Sequence, residues 1–393
     1  MIENLCSIYG VNEEQSEALD ISINTALRAG AGSGKTRVLT SRYLRLLSDI
    51  PDIELDQIVA ITFTRKAASE MKERIRHAIA ARTEHPENDE DRSRWNHLRV
   101  LMSSANIDTI HGFCGRLLRD NFECLGLDPA FEVMEEADSR TKLAELAAET
   151  INEYLEDEEN SEPLDLVMSC YGSSIFRSGE LSDGLIRLYK SIREKGASVD
   201  EAGIRTSVRV CGEDDCGSST DPASELELIA VKLLHDLNDK YEEFKQNENL
   251  LDFNDMEILA DRLLDNNEIK SRYIGRYRYF LVDEFQDVNQ IQKRILFKLC
   301  FEGDRLPEGR LFIVGDHKQS IYGFRGTDYR IFDEVCEVIG SKGNRNLSNC
   351  YRSTNCIIDT VNKVFEKLIE PYERLNYPGG KTDPGLKVEL ITW

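Results

Sequence analysis

Apolar runs of strand length alternate with amphipathic segments of helix length over residues 20–122. The run ISINTALRA leads through a glycine-rich turn into a segment that places Val38, Leu39, Tyr43 and Leu46 or Leu47 roughly on one helix face. Two more strand-and-helix pairs follow, beginning with QIVAITF and NIDTI. Because strands alternate with helices, we predict an α/β fold with a mostly parallel sheet that is covered on both faces.

The pattern changes near residue 135. From there to about residue 250 the chain is rich in helical periodicity and acidic residues, and runs such as EDEEN are expected to be solvated surface. Strand-like runs return in YFLVDEF and LFIVGD. We therefore expect a mostly helical insertion that interrupts the sheet domain.

The chain is strongly acidic. Lys and Arg total 49 against 72 Asp and Glu, which gives a formal net charge of −23. This charge opposes long-range attraction to nucleic acid or to an anionic membrane. A local basic groove can still bind nucleic acid, because salt screens distant charges beyond about 8–10 Å.

The sequence has no apolar run long enough for a membrane span and no signal-peptide pattern at its start. The closest cysteine pairs are Cys211 with Cys216 and Cys350 with Cys356, and neither has the paired spacing of a zinc site. Reduced thiols are the preferred interpretation over a metal site. We therefore expect a soluble, cytoplasmic protein.

A glycine-rich stretch lies between the first strand and the first helix. Its backbone N–H groups and the helix amino end can hold phosphates, a lysine can neutralise the β- and γ-phosphates, and a threonine hydroxyl can bind Mg²⁺. The alternative is a glycine-rich turn with a chance Lys-Thr pair, and an alanine stands where the pattern usually begins with glycine. The stretch consists of Ala29, Gly30, Ala31, Gly32, Ser33, Gly34, Lys35 and Thr36.

Two carboxylates end the strand YFLV. Asp283 is a candidate for holding Mg²⁺, and Glu284 is a candidate for orienting or deprotonating an attacking water. An Asp-Glu pair after a strand is common by itself. Together with the glycine-rich stretch, it indicates a site for ATP and Mg²⁺.

The loop GDHKQSIYGFRG follows the strand LFIV. Tyr322, Phe324 and Arg325 combine aromatic and basic side chains suited to base stacking and phosphate contact. Phe63 could likewise stack on a base, and it lies close to the basic residues Arg65 and Lys66. The alternatives are a loop with one half-buried aromatic for the first group and core packing for Phe63.

Eight blocks occur in the order seen in superfamily 1 DNA helicases of the UvrD/Rep/PcrA kind. The wording TIHGFC followed by GLDPAFEVMEEADS most resembles the AddA/RecB branch, whose members work at double-strand breaks. The resemblance covers residues 5–370 and is weakest in the acidic insertion. The blocks are NEEQSEA, AGAGSGKT, ITFTRKAASEMKERI, IDTIHGFCGRLLR, LDFNDM, LVDEFQD, GDHKQSIYGFRG and CYRST.

The resemblance implies a role for each residue that matches a nucleotide motif. It makes Gln15 the adenine-reading residue and places the adenine ring between Arg37 and Tyr351. Lys35, Thr36, Asp283 and Glu284 keep the roles given above. Gln319 would sense the γ-phosphate and couple it to the DNA site, and Arg352 would stabilise transition-state charge across a domain cleft.

The resemblance also implies a track for single-stranded DNA. For His111, a satisfied histidine at a helix start or in the core is the usual alternative, and only its place in TIHGFC favours a DNA role. The residues of the track would be Phe63, Thr64, His111, Tyr322, Phe324 and Arg325.

The sequence departs from the family pattern in two ways. Cys350 stands where the family motif before Tyr-Arg usually has Asn, and no later motor motif or nuclease block follows Arg352. We therefore expect an incomplete second RecA-like domain. The expected domains are 1–115 and 250–340 for the P-loop, RecA-like motor domain, 116–249 for the helical insertion, and 341–393 for the start of the second motor domain.

The resemblance implies an ATP-dependent, 3′-to-5′ DNA helicase or translocase that acts on single-stranded DNA in repair and recombination. This chain would be a fragment or one half of the motor, completed by another chain or joined by an AddB/RecC-like subunit. The alternative is a stand-alone ATP- and DNA-binding module with little hydrolysis. A P-loop kinase is disfavoured, because it would lack the GDHKQSIYGFRG and CYRST blocks.

Overall fold

The computed structural model describes residues 9–157, 177–203, 222–321, 328, 330–369 and 372–379. Over these residues the chain forms two compact units. Unit 1 spans Met1–Phe113, Leu264–Val288 and Gln292–Trp393, and unit 2 spans Cys114–Leu263 and Asn289–Ile291. The expected four-part domain division stays a prediction.

Unit 1 is built on a six-stranded sheet with the order β3-β2-β6-β7-β1-β8. All five neighbouring pairs are parallel, which confirms the predicted α/β fold. The strands are β1 (Thr25–Ala29), β2 (Ile58–Thr62), β3 (Asn106–Thr109), β6 (Tyr279–Val282), β7 (Leu311–Gly315) and β8 (Asn344–Leu347).

The central strands are apolar because both faces of the sheet are covered. Every residue of β2 and β7 is buried. In register, Leu27 of β1 lies opposite Val314 of β7 and Arg345 of β8. Strand β1 therefore lies between β7 and β8, and β7 is paired on its other side with β6.

The helices of the sheet-forming parts of the chain follow the predicted periodicity. Helix α2 carries the predicted apolar face, in which Val38, Leu39, Tyr43, Leu46 and Leu47 are buried. The helices are α1 (Glu13–Glu17), α2 (Lys35–Asp49), α3 (Arg65–Glu84), α4 (Asp89–Val100), α5 (Ile110–Asp120), α11 (Asn267–Arg276), α12 (Gln290–Cys300), α13 (Arg330–Ile339) and α14 (Asn355–Phe365). Short 3₁₀ turns cover Leu55–Gln57, Leu101–Ser104, Phe285–Asp287 and His317–Gln319.

Unit 2 is mostly helical around its own apolar core. Tyr189 and Tyr241 meet edge to face in this core, with ring centroids 6.1 Å apart. Lys245 is 2 % exposed and lies 2.5 Å from Asp255, so its buried charge is paired. The elements are α6 (Phe122–Leu125), β4 (Glu132–Val133), α7 (Glu136–Glu156), α8 (Arg177–Glu194), α9 (Pro222–Asn247), β5 (Leu250–Leu251) and α10 (Phe253–Leu263).

Three strands were not predicted from the apolar pattern. Strands β4 and β5 are two residues each and pair with one another in unit 2. Strand β8 has the polar sequence NRNL and forms the edge of the main sheet beside β1. It lies in the range that the sequence assigned to the start of a second domain.

No helix in the described part of the chain is long and apolar enough to cross a membrane.

Two glycines with left-handed backbone provide a matched test of the packing before β7. A methyl group on Gly309 (φ +71°) would lie 2.2 Å from the backbone oxygen of Ile21, whereas one on Gly303 (φ +64°) would meet nothing within 4 Å. We expect Gly303→Ala to lower the free energy of unfolding by about 1–2 kcal/mol, the cost of left-handed backbone for an L-residue. We expect Gly309→Ala to cost about 3 kcal/mol or more, because the collision adds to backbone strain.

Urea unfolding followed by tryptophan fluorescence would measure both variants, since Trp95 is buried in unit 1. Equal losses of stability in the two variants would contradict the close packing of Gly309 against Ile21.

Candidate nucleotide-binding site

The site residues collect at the carboxyl edge of the sheet. Because β1, β6 and β7 are parallel, the loops that follow them emerge at the same edge. These loops are the glycine-rich stretch after β1, the acidic turn after β6 and the turn His317–Gln319 after β7.

The glycine-rich stretch turns directly into helix α2. Gly34 has φ +92° and precedes the helix, and no side chain of a described residue caps this helix end. Ser33 closes the turn by donating its hydroxyl to the backbone oxygen of Gly30 at 2.8 Å. The uncapped N–H groups and the positive end of α2 form an anion-binding geometry.

Lys35 forms an ion pair with Glu284. The Nζ-to-Oε2 distance is 2.6 Å, and the side chains are 11 % and 33 % exposed. Glu284 has φ +49°, an uncommon conformation for a residue other than glycine. The strained turn after β6 and the glycine-rich turn after β1 thus bring a cation and a carboxylate together.

Asp283 is buried at the end of β6. Its backbone N–H donates to Ile61 of β2 at 2.8 Å, and its carboxylate accepts from the backbone N–H of Glu284 at 3.0 Å. Burial, followed by repulsion from Glu284, raises the pKa of Asp283 to about 6. The same causes raise the pKa of Asp287 to about 6.

These residues fit a Mg²⁺ ion that is bound together with a nucleotide. Within the described residues there is no group of three or more His, Cys, Asp or Glu able to hold a metal on protein ligands alone. Mg²⁺ usually takes one or two carboxylates and completes its shell with water and substrate phosphates. The Asp283 carboxylate and the Thr36 hydroxyl are donors of the kind that Mg²⁺ takes, and a cation beside Asp283 would oppose the desolvation and repulsion that raise its pKa.

Gln286 joins the acidic turn to the turn after β7, a contact that sequence reasoning missed. Its Nε2 donates to Glu284 at 3.0 Å and to Asp287 at 3.2 Å, and its Oε1 accepts from the backbone N–H of Asp316 at 3.0 Å. Gln319 in turn donates to the Asp316 carboxylate at 2.8 Å. A continuous polar network therefore runs from Glu284 to Gln319.

A cavity of about 630 Å³ opens beside the glycine-rich stretch. Sequence reasoning missed four residues of its lining, Gly10, Val11, Asn12 and Arg74. Asn12 lies in the block NEEQSEA and Arg74 lies in the block ITFTRKAASEMKERI, but neither charge nor spacing distinguishes them there from their neighbours. The lining consists of Gly10, Val11, Asn12, Gln15, Gly32, Gly34, Lys35, Thr36, Arg37, Arg74, Glu284, Tyr351 and Arg352.

The remaining predicted nucleotide residues lie around this cavity without lining it. Ala29 is the buried last residue of β1, Gly30 and Ser33 form the turn, and Ala31 is exposed. Asp283 and Gln319 connect to the polar network described above, Asp283 through the backbone N–H of Glu284 and Gln319 through Asp316.

Gln15 and Tyr351 reach the glycine-rich stretch from opposite ends of the sequence. Gln15 donates its side-chain N–H to the backbone oxygen of Ser33 at 2.8 Å. The Tyr351 backbone N–H donates to Gly32 at 2.9 Å, and Arg37 donates to the backbone oxygen of Gly10 at 3.0 Å. The cavity thus has its polar walls held together by hydrogen bonds.

Of the predicted DNA residues, three are described and lie at the ends of neighbouring strands. Thr62 of β2 pairs with Thr109 of β3, so Phe63 and His111 emerge at the same edge. Phe63 is 36 % exposed and His111 is half-buried. Thr64 caps helix α3 by accepting from the Ala67 N–H at 3.1 Å.

Tyr322, Phe324 and Arg325 lie outside the described residues, as do Cys211 and Cys216. Cys350, which replaces the family's Asn, is buried, and a methyl group on Gly32 would lie 3.1 Å from its sulfur.

The raised pKa of Asp283 predicts a stability gain when its charge is removed. The unfolded chain ionises this group near its usual pKa of 3.8 and the folded chain near 6, so ionisation disfavours the fold progressively between about pH 4 and 6 and fully above. In the nucleotide-free protein we expect Asp283→Asn to raise the free energy of unfolding by up to about 3 kcal/mol near neutral pH. The gain should vanish below about pH 4.

Urea unfolding across this pH range would measure the effect, with the exposed Asp304→Asn as the control. A gain of the same size at every pH would contradict the assignment.

Comparisons with known proteins give a matching family and a set of similar curated proteins. The UvrD/REP helicase N-terminal domain matches residues 11–338. Among curated proteins, the chain is similar to an ATP-dependent helicase/nuclease subunit of Acetivibrio thermocellus (27 % identical, over 91 % of this chain and 39 % of that protein). It is also similar to the proteins of the same name from Thermoanaerobacter sp. strain X514 (26 %, 93 % and 41 %) and Clostridium novyi (24 %, 91 % and 39 %).

The chain thus spans well under half the length of the curated relatives that it matches. The family match, in contrast, covers most of this chain. Within it, the parallel sheet carries the glycine-rich stretch, residues 29–36, between β1 and α2, and we call this stretch the P-loop. The chain belongs to the UvrD/REP helicase N-terminal domain family.

Proposed function

We propose that this chain binds ATP with Mg²⁺ and single-stranded DNA, and that it supplies the ATP-hydrolysing part of a DNA helicase used in repair and recombination. One observation carries the proposal: the cavity of about 630 Å³ is lined together by Lys35, Thr36, Glu284 and Arg352. These are the cation, hydroxyl, carboxylate and second cation that phosphoryl transfer uses.

In this proposal, Lys35 controls when Glu284 is available. The two side chains pair at 2.6 Å. A triphosphate offers Lys35 a more highly charged partner, so its binding would release the carboxylate to orient and deprotonate water. The ion pair therefore links phosphate binding to activation of the base.

Asp283 and Thr36 would hold the Mg²⁺ ion. When bound, this ion would neutralise the developing charge on the phosphate oxygens. The other roles belong to groups of the chain itself. The N–H groups at the start of α2 would bind phosphate, and Arg352 would stabilise transition-state charge from the opposite wall.

Gln319 would report the state of the nucleotide. It reaches Glu284 through Asp316 and Gln286, with each step between 2.8 and 3.0 Å. A shift of Glu284 on phosphate binding would therefore be passed to the turn after β7, which leads towards the predicted DNA residues 322–325.

Phe63, Thr64 and His111 would form the described part of the DNA track. Phe63 is exposed for stacking, and Arg65 and Lys66 follow it with exposed side chains. A local basic and aromatic surface of this kind can bind a strand despite the net charge of −23, because distant acidic residues are screened. Tyr322, Phe324 and Arg325 are proposed to continue the track.

Several finer properties are proposed by resemblance. These are 3′-to-5′ polarity, a cytoplasmic location, and a partner that is an AddB/RecC-like subunit or a chain with the remaining motor half. The relatives are named as one subunit of a helicase/nuclease, which supports a role within a larger assembly. The competing hypothesis is an ATP- and DNA-binding module with little hydrolysis.

ATP hydrolysis by the purified chain, with and without oligo-dT, tests the proposal. We expect DNA-stimulated turnover that Lys35→Ala abolishes, because this variant loses both the phosphate contact and the partner of Glu284. We expect Glu284→Gln to keep the binding of a fluorescent ATP analogue but to lose turnover by about 10²–10⁴-fold, the usual contribution of a general base.

Binding without turnover in the unmodified chain would favour the binding module. The absence of both ATP binding and ATP turnover would refute the proposal.

Binding of oligo-dT tests the DNA track separately. We expect Phe63→Ala to weaken binding by about 1–3 kcal/mol, the usual value of one stacking contact. Val100→Ala is the control, because Val100 is 75 % exposed and lies at the end of α4, away from the edge that carries Phe63. Affinity should also fall as salt rises.

The double variant Phe324→Ala with Arg325→Ala should weaken binding further. Unchanged binding in both the Phe63 variant and the double variant would exclude the proposed track.

A further inference from the structure

Glu14 of helix α1 collects hydrogen bonds from two residues that lie more than 300 positions later. Its Oε1 accepts from the Ser348 hydroxyl at 2.8 Å. Its Oε2 accepts from the Ser348 backbone N–H at 3.3 Å and from the Asn349 side-chain amide at 3.2 Å. All three partners donate, so a carboxylate suits this position and an amide side chain does not.

The residues that Glu14 holds belong to a segment that lies directly on the P-loop. We call residues 348–352 the arginine segment. Within it, the Tyr351 N–H donates to Gly32 at 2.9 Å, and a methyl group on Gly32 would lie 2.5 Å from Arg352 Cβ. The segment therefore packs closely against Gly32, and a displacement of the segment would move Tyr351 and Arg352 relative to the P-loop.

Helix α1 is itself fixed to the P-loop. Gln15, next to Glu14, donates to Ser33 at 2.8 Å. Asn12 caps α1 by accepting from the Gln15 N–H at 2.7 Å and also donates to the Tyr351 hydroxyl. One short helix thus braces the P-loop with Gln15 and the arginine segment with Glu14.

Asn376 supports the arginine segment from its other side. Its N–H donates to the Ser348 oxygen at 2.9 Å, and its backbone oxygen accepts from the Cys350 N–H at 2.9 Å. Its side-chain amide donates to the Ser348 hydroxyl at 3.0 Å. That hydroxyl accepts from Asn376 and donates to Glu14, so both of its hydrogen-bonding roles are used.

We propose that Glu14 is a positioning residue that fixes the arginine segment, and through it Tyr351 and Arg352, over the P-loop. The functional part of this inference rests on the proposed ATP site, because Tyr351 and Arg352 act there on adenine and on phosphate. Glu14 lines no part of the cavity and acts only through the residues that it holds.

The first experiment needs no nucleotide. Amide hydrogen exchange of the peptide that covers residues 348–352 is compared among the unmodified chain, Glu14→Gln and Glu13→Gln. Glu13 is the matched control, because it is exposed, carries the same charge and lies in the same helix turn. We expect exchange at least several-fold faster in Glu14→Gln and unchanged in Glu13→Gln, and equal exchange in both variants would overturn the inference.

The second experiment measures how Glu14→Gln changes the rate of ATP hydrolysis. We expect Glu14→Gln to lower kcat by about 10-fold or more, because a 1 Å misplacement near a reacting centre can cost about 10²-fold. On an Arg352→Ala background the same change should lower kcat no further, since the group that it positions is gone. A loss of equal size on both backgrounds would mean that Glu14 acts by some other route.

If the chain binds ATP but does not hydrolyse it, the effect of Glu14→Gln is measured as the affinity for a fluorescent ATP analogue. Glu14→Gln should weaken it about three- to ten-fold through Tyr351, and Glu13→Gln should leave it unchanged. If the unmodified chain bound no ATP, the proposed function would fail, whereas the exchange experiment would still decide whether Glu14 holds the arginine segment.

Discussion

The backbone pairing of β7 with both β1 and β6 is the constraint on which the site depends. Because β7 fills the space between these strands, their carboxyl ends stand two strand spacings apart, about 9–10 Å. Lys35 begins the helix after β1, and Glu284 follows β6. The long lysine side chain spans this gap to reach Glu284 at 2.6 Å, so the sheet sets the distance at which cation and carboxylate meet.

The acidic turn is held in a conformation that costs stability. Glu284 has left-handed backbone, and the pKa values of Asp283 and Asp287 are both raised to about 6 by burial and by Glu284. Such strain and repulsion are typical of functional sites, where contacts with the surrounding fold hold a costly conformation in place. Here Gln286 holds the turn in place, because its buried side-chain amide forms hydrogen bonds with Glu284, Asp287 and the backbone N–H of Asp316.

The sequence predicted the parts of the fold that depend on local patterns. The apolar strands β1, β2, β6 and β7 and the P-loop were predictable because burial on both faces and phosphate geometry each need particular residue types. Strand β8 was not, because its NRNL sequence is polar and only backbone pairing with β1 makes it a strand. The contacts of Gln286 with Asp316, 30 positions later, and of Glu14 with Ser348, 334 positions later, were missed for a related reason, because a motif carries no record of partners elsewhere in the sequence.

The walls of the cavity come from both ends of the described chain, and this has a consequence for how the site forms. Gln15 and Tyr351 lie near opposite ends of the described chain, yet both line the cavity and both hydrogen-bond to the P-loop, which itself follows β1. The P-loop turn can close locally, but the cavity is complete only after β8 has paired with β1 and carried the arginine segment to Gly32. Closing so long a loop costs conformational entropy before the contacts that offset this cost have formed. A ligand that bridges these walls therefore adds stability to the fully assembled sheet, because it binds the folded state and not the open one.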